Sequence, residues 1–293
     1  MSAGQIYRRR YGATSVELSV LGFGTMRLLP ERTDPDTASS LLLKLHAAGV
    51  TTLHSSSEYP GYALFCDALQ RARRRHPGAD FEHVCKIAVP HFDEQRFSTA
   101  RLVAAVDTEL RKLGIARVDV LQWMVRHTPN EDEPRLRILR DQLDEIRACF
   151  DDLRAAGKVA AIAVFPYSAA FAEAVIAAGF GDGLIDYWNP LETVPSGWFD
   201  RLQATQRGFI GIRPLGGTDA PVLFARSRPG AASVRVLAAA LDFALSHPAV
   251  ACTLWGSADA ARVDAMLEAA GGLQDRHGIP SDAAARRDGP VHE

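Results

Sequence analysis

Eight short apolar runs, each followed by a stretch of helical periodicity, leave this 293-residue chain few architectures. The runs are Val20–Phe23, Thr51–His54, Val84–Ile87, Asp119–Trp123, Ala160–Val164, Leu184–Trp188, Phe209–Ile212 and Cys252–Trp255. Runs this short and apolar suit parallel strands covered on both faces. Between them, Leu41, Leu42, Leu45 and His46 share one stripe over Ala38–Ala48, and Leu102, Val106, Leu110 and Leu113 share another over Thr99–Leu113. Over Pro134–Ala156, Leu136, Leu139, Leu143, Ile146, Phe150 and Leu153 recur at intervals of three and four. Pro134 is placed to open that helix and Gly157 to end it. Ala231–Ser246 and Asp259–Ala270 complete the helical set.

This alternation predicts a single (β/α)8 TIM barrel, class α/β, over residues 1–273. The main rival is an open doubly wound sheet, which normally has a Gly-x-Gly-x-x-Gly turn after its first strand; Leu21-Gly22-Phe23-Gly24-Thr25-Met26 lacks the third glycine. Ahead of the first strand, Tyr7–Leu18 turns around Gly12-Ala13-Thr14 and is expected to form a hairpin plugging the N-terminal mouth. Residues 274–293 carry no apolar stripe and are expected to form a mobile tail.

Net charge is −2, so bulk electrostatics favours neither nucleic acid nor an anionic membrane as a partner; a small-molecule substrate is the expectation. The Arg runs at 8–10 and 73–75 read as a solvated strand end and a helix C-terminus. Cys66, Cys85, Cys149 and Cys252 form no Cys-x-x-Cys pair and show no zinc spacing, so no metal is expected. Met1–Arg10 lacks an apolar signal region, which makes a reducing cytoplasm the expected setting.

The chemistry concentrates at strand ends. Thr51-Thr52-Leu53-His54-Ser55-Ser56-Ser57-Glu58-Tyr59 runs from an apolar strand into polar residues, with a tyrosine five places after His54. Val84-Cys85-Lys86 ends in one of only four lysines in the chain. Further patches are Arg111-Lys112-Leu113-Gly114 with Val118-Asp119-Val120-Leu121-Gln122, Ala156-Gly157-Lys158-Val159, Trp188-Asn189, and Arg213-Pro214-Leu215-Gly216-Gly217. In this order and at these intervals they resemble the aldo-keto reductases, from about Tyr7 to about Leu267.

The resemblance implies an NADPH-dependent carbonyl reductase with an Asp, Tyr, Lys and His tetrad, in which a tuned phenol protonates the developing alkoxide. Tyr59 matches the tyrosine and Lys86 the lysine. His54 occupies the aspartate position and Met124 the histidine position, with His127 three residues further on. Where the family carries Ser-Asn to hold the nicotinamide carboxamide, this chain has Phe165-Pro166, which offers no side-chain hydrogen bond. The glutamine expected on the sixth strand falls on Ile185. Ser257 and Arg262 resemble the loop that grips the 2′-phosphate, without its usual basic residue before the serine. Arg213, Gly216 and Gly217 complete the candidate cofactor positions, and NADP(H) itself becomes doubtful.

Each residue also has a plainer reading. Tyr59 and Lys86 can be packing residues, with Lys86 paired to Glu58; their place at the C-terminal mouth favours function. His54 can be a satisfied core histidine, and beside Lys86 it is expected to stay neutral. Glu58 is read as an exposed helix-start residue ahead of a counter-ion. Met26, Trp123, Met124, His127, Phe165 and Trp188 are the expected pocket residues; some of the aromatics belong to the core, and if two or more face the mouth, the pocket is apolar and flat-sided and suits an aromatic or polyketide-like substrate. Three functions compete: non-redox acid/base chemistry on a small carbonyl compound, NADPH-dependent reduction, and a non-catalytic binding barrel. The first is placed ahead, because the substitutions exchange titratable groups instead of only deleting them.

Overall fold

The computed structural model describes residues 6–92, 94–127, 131–217 and 231–277. Eight parallel strands close into a barrel: β3 (Leu21–Gly24), β4 (Thr52–Ser55), β5 (Glu82–Ala88), β6 (Val118–Met124), β7 (Val159–Phe165), β8 (Gly183–Tyr187), β9 (Gly208–Ile212) and β10 (Val250–Trp255). β10 pairs with β3, with Trp255 opposite Phe23, and this seals the cylinder. Every strand predicted from an apolar run is present, with ends displaced by at most two residues. The helices are α1 (Pro35–Ala47), α2 (Tyr62–Arg75), α3 (Thr99–Leu113), α4 (Asp132–Ala155), α5 (Ala169–Ala177), α6 (Ser196–Ala204), α7 (Ala231–Ala244), α8 (Ala260–Ala270) and the short α9 (Leu273–Arg276).

Local chemistry sets the helix ends. The Asp34 carboxylate accepts from the amides of Asp36 and Thr37 ahead of Pro35, and Ser98 caps α3 at the amide of Arg101. α4 starts two residues before Pro134 and kinks at Gln142, whose φ is −127°. The Gln142 amide explains the kink, because it bonds both the N–H and the carbonyl of Phe97. Gly157 follows α4 with φ +69°, as expected of its terminator.

Two cores result from strand alternation. Outward-facing residues such as Leu121, Trp123, Ile162 and Val164 pack beneath the helices, while Val84, Val120, Ala161, Ala163, Ile185, Ile210 and Cys252 fill the cylinder. The predicted hairpin is present as β1 (Arg8–Arg10) and β2 (Glu17–Ser19). Its Tyr11, Val16 and Leu18 join the inner core, so the N-terminal mouth is stoppered by apolar side chains. At the other end of the chain, Gln274–His277, assigned to the tail by sequence, belong to an ordered turn. Arg276 and His277 bond Asp242, and Tyr7 bonds His277. Residues 278–293 lie outside the described residues.

Candidate active site

Two basins flank the barrel. The one at the N-terminal end, about 970 Å3, is lined mainly by charged residues, several already engaged with one another: Arg8 with Glu82, and Arg117 with Asp119. The one at the C-terminal end, about 420 Å3, collects residues from the ends of all eight strands, where barrels of this kind place their chemistry. His54, Tyr59, Lys86, Gln122 and Met124 line it together with Met26, Phe165, Tyr167 and Tyr187.

Tyr59 is delivered by a tight turn after β4. The Tyr59 amide bonds the Ser56 carbonyl at 3.0 Å, the Ser56 hydroxyl accepts from the Glu58 amide at 3.3 Å, and that hydroxyl donates to the Lys86 carbonyl at 3.2 Å. The turn is thereby tied to β5 before α2 begins. Gly61 is required at the next step, because a Cβ there would lie 1.5 Å from the Leu28 carbonyl oxygen.

His54 projects from β4 into the mouth and is buried. Its Nε2 lies 2.6 Å from Gln122 Oε1, which assigns the ring proton to Nε2 and leaves Nδ1 as an acceptor. The Tyr59 hydroxyl reaches that Nδ1 at 3.5 Å, the long edge of hydrogen bonding. Burial pulls the imidazole pKa down to about 4; the Lys86 charge acts in the same sense and the Gln122 hydrogen bond opposes it. The ring is therefore neutral, in line with the sequence expectation. Burial, reinforced by the Glu58 charge, raises the Tyr59 pKa. This phenol is a protonated donor, not a tyrosinate.

Lys86 is placed differently from a simple tetrad. Its Nζ bonds Glu58 Oε2 at 2.8 Å and sits 4.8 Å from the centroid of the Tyr59 ring, on its face. Glu58 also binds Arg126 at 2.8 Å and His91 at 3.3 Å. Glu58 is exposed, as the sequence reading has it, and its carboxylate is also the counter-ion of Lys86. Arg126 extends this cluster, since its Nε donates to the Tyr167 hydroxyl at 2.9 Å as well.

The pocket list divides. Met26, Met124 and Phe165 line the mouth. Trp123 and Trp188 do not: they have the opposite parity on their strands. Trp123 packs edge-on against Phe97, Phe150 and Phe180 beneath the helices, donating to the Val89 carbonyl. Trp188 stacks on Phe243 and donates to the Ala244 carbonyl. Two further aromatics face inward, Tyr167 and Tyr187, which both meet Phe165 edge-on, at 4.8 and 5.7 Å. His127 bonds Gln95 Oε1 at 3.0 Å and does not line the mouth.

Of the cofactor candidates, Arg213 and Gly217 line the mouth, with the Arg213 guanidinium over the Tyr187 ring at 4.2 Å. Gly216 lies behind them in the turn, its amide on the Arg213 carbonyl. Ser257 accepts from the Asp259 amide, and the Arg262 amide is capped by the Asp259 carboxylate, so an acidic side chain already occupies the N-terminus of α8. Where a carboxamide clamp would stand, Phe165 and Ile185 present only hydrocarbon. Among the described residues no cluster of three or more His, Cys, Asp or Glu could hold a metal ion, and no helix is long and apolar enough to cross a membrane.

Residues 20–219 match the model of the aldo/keto reductase family, and the chain belongs to that family. Solved structures with the same fold include a Pseudomonas aeruginosa protein assigned to the aldo-keto reductases. It is 18% identical, with a TM-score of 0.70 over 92% of this chain and 97% of that one. The holo form of aldo-keto reductase AKR11C1 from Bacillus halodurans is 17% identical, with a TM-score of 0.69 over 90% and 91%. Curated proteins yield no match.

The buried neutral histidine has a consequence for stability. His54 has a folded pKa of about 4, against about 6.5 in an unfolded chain. The unfolded state therefore takes up a proton that the folded state refuses, and stability falls as pH drops from 6.5 toward 4. His54→Gln removes that proton and should recover roughly 2–3 kcal/mol of the acid-side loss. Urea unfolding of both proteins at pH 7.5 and pH 4.5 checks this; equal acid sensitivity would show that His54 is not the group responsible.

Proposed function

We propose that the protein acts on a small, flat, carbonyl-containing substrate by proton transfer, with Tyr59 as the group that donates to the substrate oxygen. One observation carries this reading: a protonated Tyr59 hydroxyl faces the cavity beside the fixed acceptor Nδ1 of His54, itself anchored by Gln122. In the resting site the phenolic proton points to Nδ1. A carbonyl oxygen entering the mouth can take over that hydrogen bond, and the phenol then protonates oxygen as charge develops. Phe165, Tyr167 and Tyr187 supply the apolar wall that favours a planar substrate.

The family's usual NADP(H) fits poorly with the described residues. Phe165 and Ile185 cannot bond a carboxamide, and the Asp259 carboxylate at the start of α8 would repel a phosphate. We therefore favour elimination, isomerisation or cyclisation, in which no hydride is needed. NADPH-dependent carbonyl reduction is the second reading, favoured by the retention of Tyr59 and Lys86 together at the mouth. The four free cysteines accord with a reducing, cytoplasmic setting.

Calorimetric titration with NADPH and NADP+ separates the two readings. Weak binding, with a Kd above about 1 mM and so worth less than about 4 kcal/mol, is the expected result. Micromolar binding with turnover strictly dependent on NADPH would establish the reductase.

A further inference from the structure

We propose that Glu58 is the positioning residue of this mouth: its carboxylate is the counter-ion of Lys86 in place of one absent from position 54, and it holds the ammonium on the face of Tyr59, away from the hydroxyl. Three observations converge. Position 54, on the strand beside that of Lys86 and lining the same mouth, holds a neutral imidazole, which offers no charge to an ammonium. Lys86 Nζ bonds Glu58 Oε2 at 2.8 Å and makes no hydrogen bond to the Tyr59 hydroxyl, lying 4.8 Å from the ring centroid. The same carboxylate binds Arg126 and His91, and Arg126 goes on to Tyr167, so one side chain ties together the loops after β4, β5, β6 and β7.

The electrostatics follow from that geometry. Burial alone would raise the Glu58 pKa, but Lys86, Arg126 and His91 together outweigh it and keep the carboxyl ionised. Burial depresses the Lys86 pKa, and the Arg126 charge does likewise; Glu58 is the group that resists. Among the described residues, the groups facing this ion pair are His54, Tyr59, His91, Arg126 and Tyr167. Of these, Arg126 acts on Lys86 in the sense opposite to Glu58. The arrangement is therefore testable by sign, and through charge alone, without a substrate.

The catalytic consequence rests on the reading of Tyr59 as proton donor, but the charge assignment does not. With four lysines in the chain, acylation of Lys86 can be followed separately from that of Lys44, Lys112 and Lys158 by peptide mass analysis. The probe is a water-soluble N-hydroxysuccinimide ester applied to the folded protein across pH 6–11. In Glu58→Gln the pH at which Lys86 becomes reactive should fall, accelerating its acylation at pH 8 on the order of tenfold. Glu58→Asp should restore most of the original profile. Arg126→Gln should move the profile the other way and slow Lys86 acylation, which gives a reading even if Glu58→Gln folds poorly. An unchanged Lys86 profile in either glutamine variant, or movement of both in the same direction, would overturn the proposal. If the profiles move as stated while Tyr59→Phe keeps full turnover, the charge assignment stands and the proton-donor reading fails.

Discussion

Tyr59→Phe is expected to lower kcat about a thousandfold, within the range measured for loss of a positioned general acid. By transition-state arithmetic this corresponds to about 4 kcal/mol. The fold should survive, because among the described residues the hydroxyl's one hydrogen-bond partner is His54 Nδ1 at 3.5 Å, while the ring keeps its contact with Lys86. The loss should fall on kcat and leave KM within about threefold, since proton donation strengthens only as charge develops on the substrate oxygen. His54→Ala should cost less, on the order of tenfold, because a fixed neutral acceptor orients the phenol without itself meeting the substrate. Steady-state kinetics on aromatic ketones and aldehydes, with and without NADPH, measures both. Full activity in Tyr59→Phe would remove this residue from the mechanism, whichever reaction the protein catalyses.

The barrel was legible because its signal is repeated. Eight apolar runs separated by periodic helices leave little choice of topology, and an error of one or two residues at each end does not change the order of strands. Convergence of Tyr59, Lys86 and His54 was legible for the same reason, since ends of parallel barrel strands must meet at one mouth. Pocket aromatics were misassigned where parity on the strand was not applied. Gln122 and Met124 line the mouth, so Trp123 between them must face the helices; Tyr187 lines it, so Trp188 must not.

Glu58 could not be placed from spacing. Its partners are Lys86 on β5 and His91 and Arg126 on the loops after β5 and β6, 28 to 68 residues away, and nothing in a local pattern distinguishes a carboxylate aimed at them from one in solvent. Helix-start preference accounts for its exposure but not for the three cationic partners that its carboxylate gathers. Tyr167 was hidden for a different reason. It follows Pro166 with a φ of +61°, a conformation no propensity scale assigns to tyrosine, and that backbone state turns its hydroxyl to Arg126.

The hairpin stopper carries the largest expected effect on stability. Tyr11 is fully buried in the inner core, and its ring passes over Gly208, where an added Cβ would lie 2.4 Å from Cδ2 and 2.6 Å from Cε2. At Gly183, its register partner on the neighbouring strand, a Cβ would meet first the Gly208 carbonyl oxygen and then the Tyr11 hydroxyl oxygen, at 2.6 Å. The ring lies against this glycine pair, and at Gly208 it is the nearest atom group that a side chain would meet. Gly208→Ala should therefore destabilise the protein by about 3 kcal/mol or more through overpacking. In thermal unfolding that is a fall of roughly 6–12 °C for a domain of this size. Tyr11→Ala alone should cost a similar amount by leaving a cavity. Combining the two should cost less than their sum by about 2 kcal/mol, because the methyl added at Gly208 then grows into space the ring has vacated. Part of the Gly208→Ala cost should persist, since the new Cβ also lies 2.9 Å from the Gly12 amide nitrogen. Strict additivity in that double-mutant cycle would mean that the glycine is required by its strand and not by the tyrosine that stops the barrel.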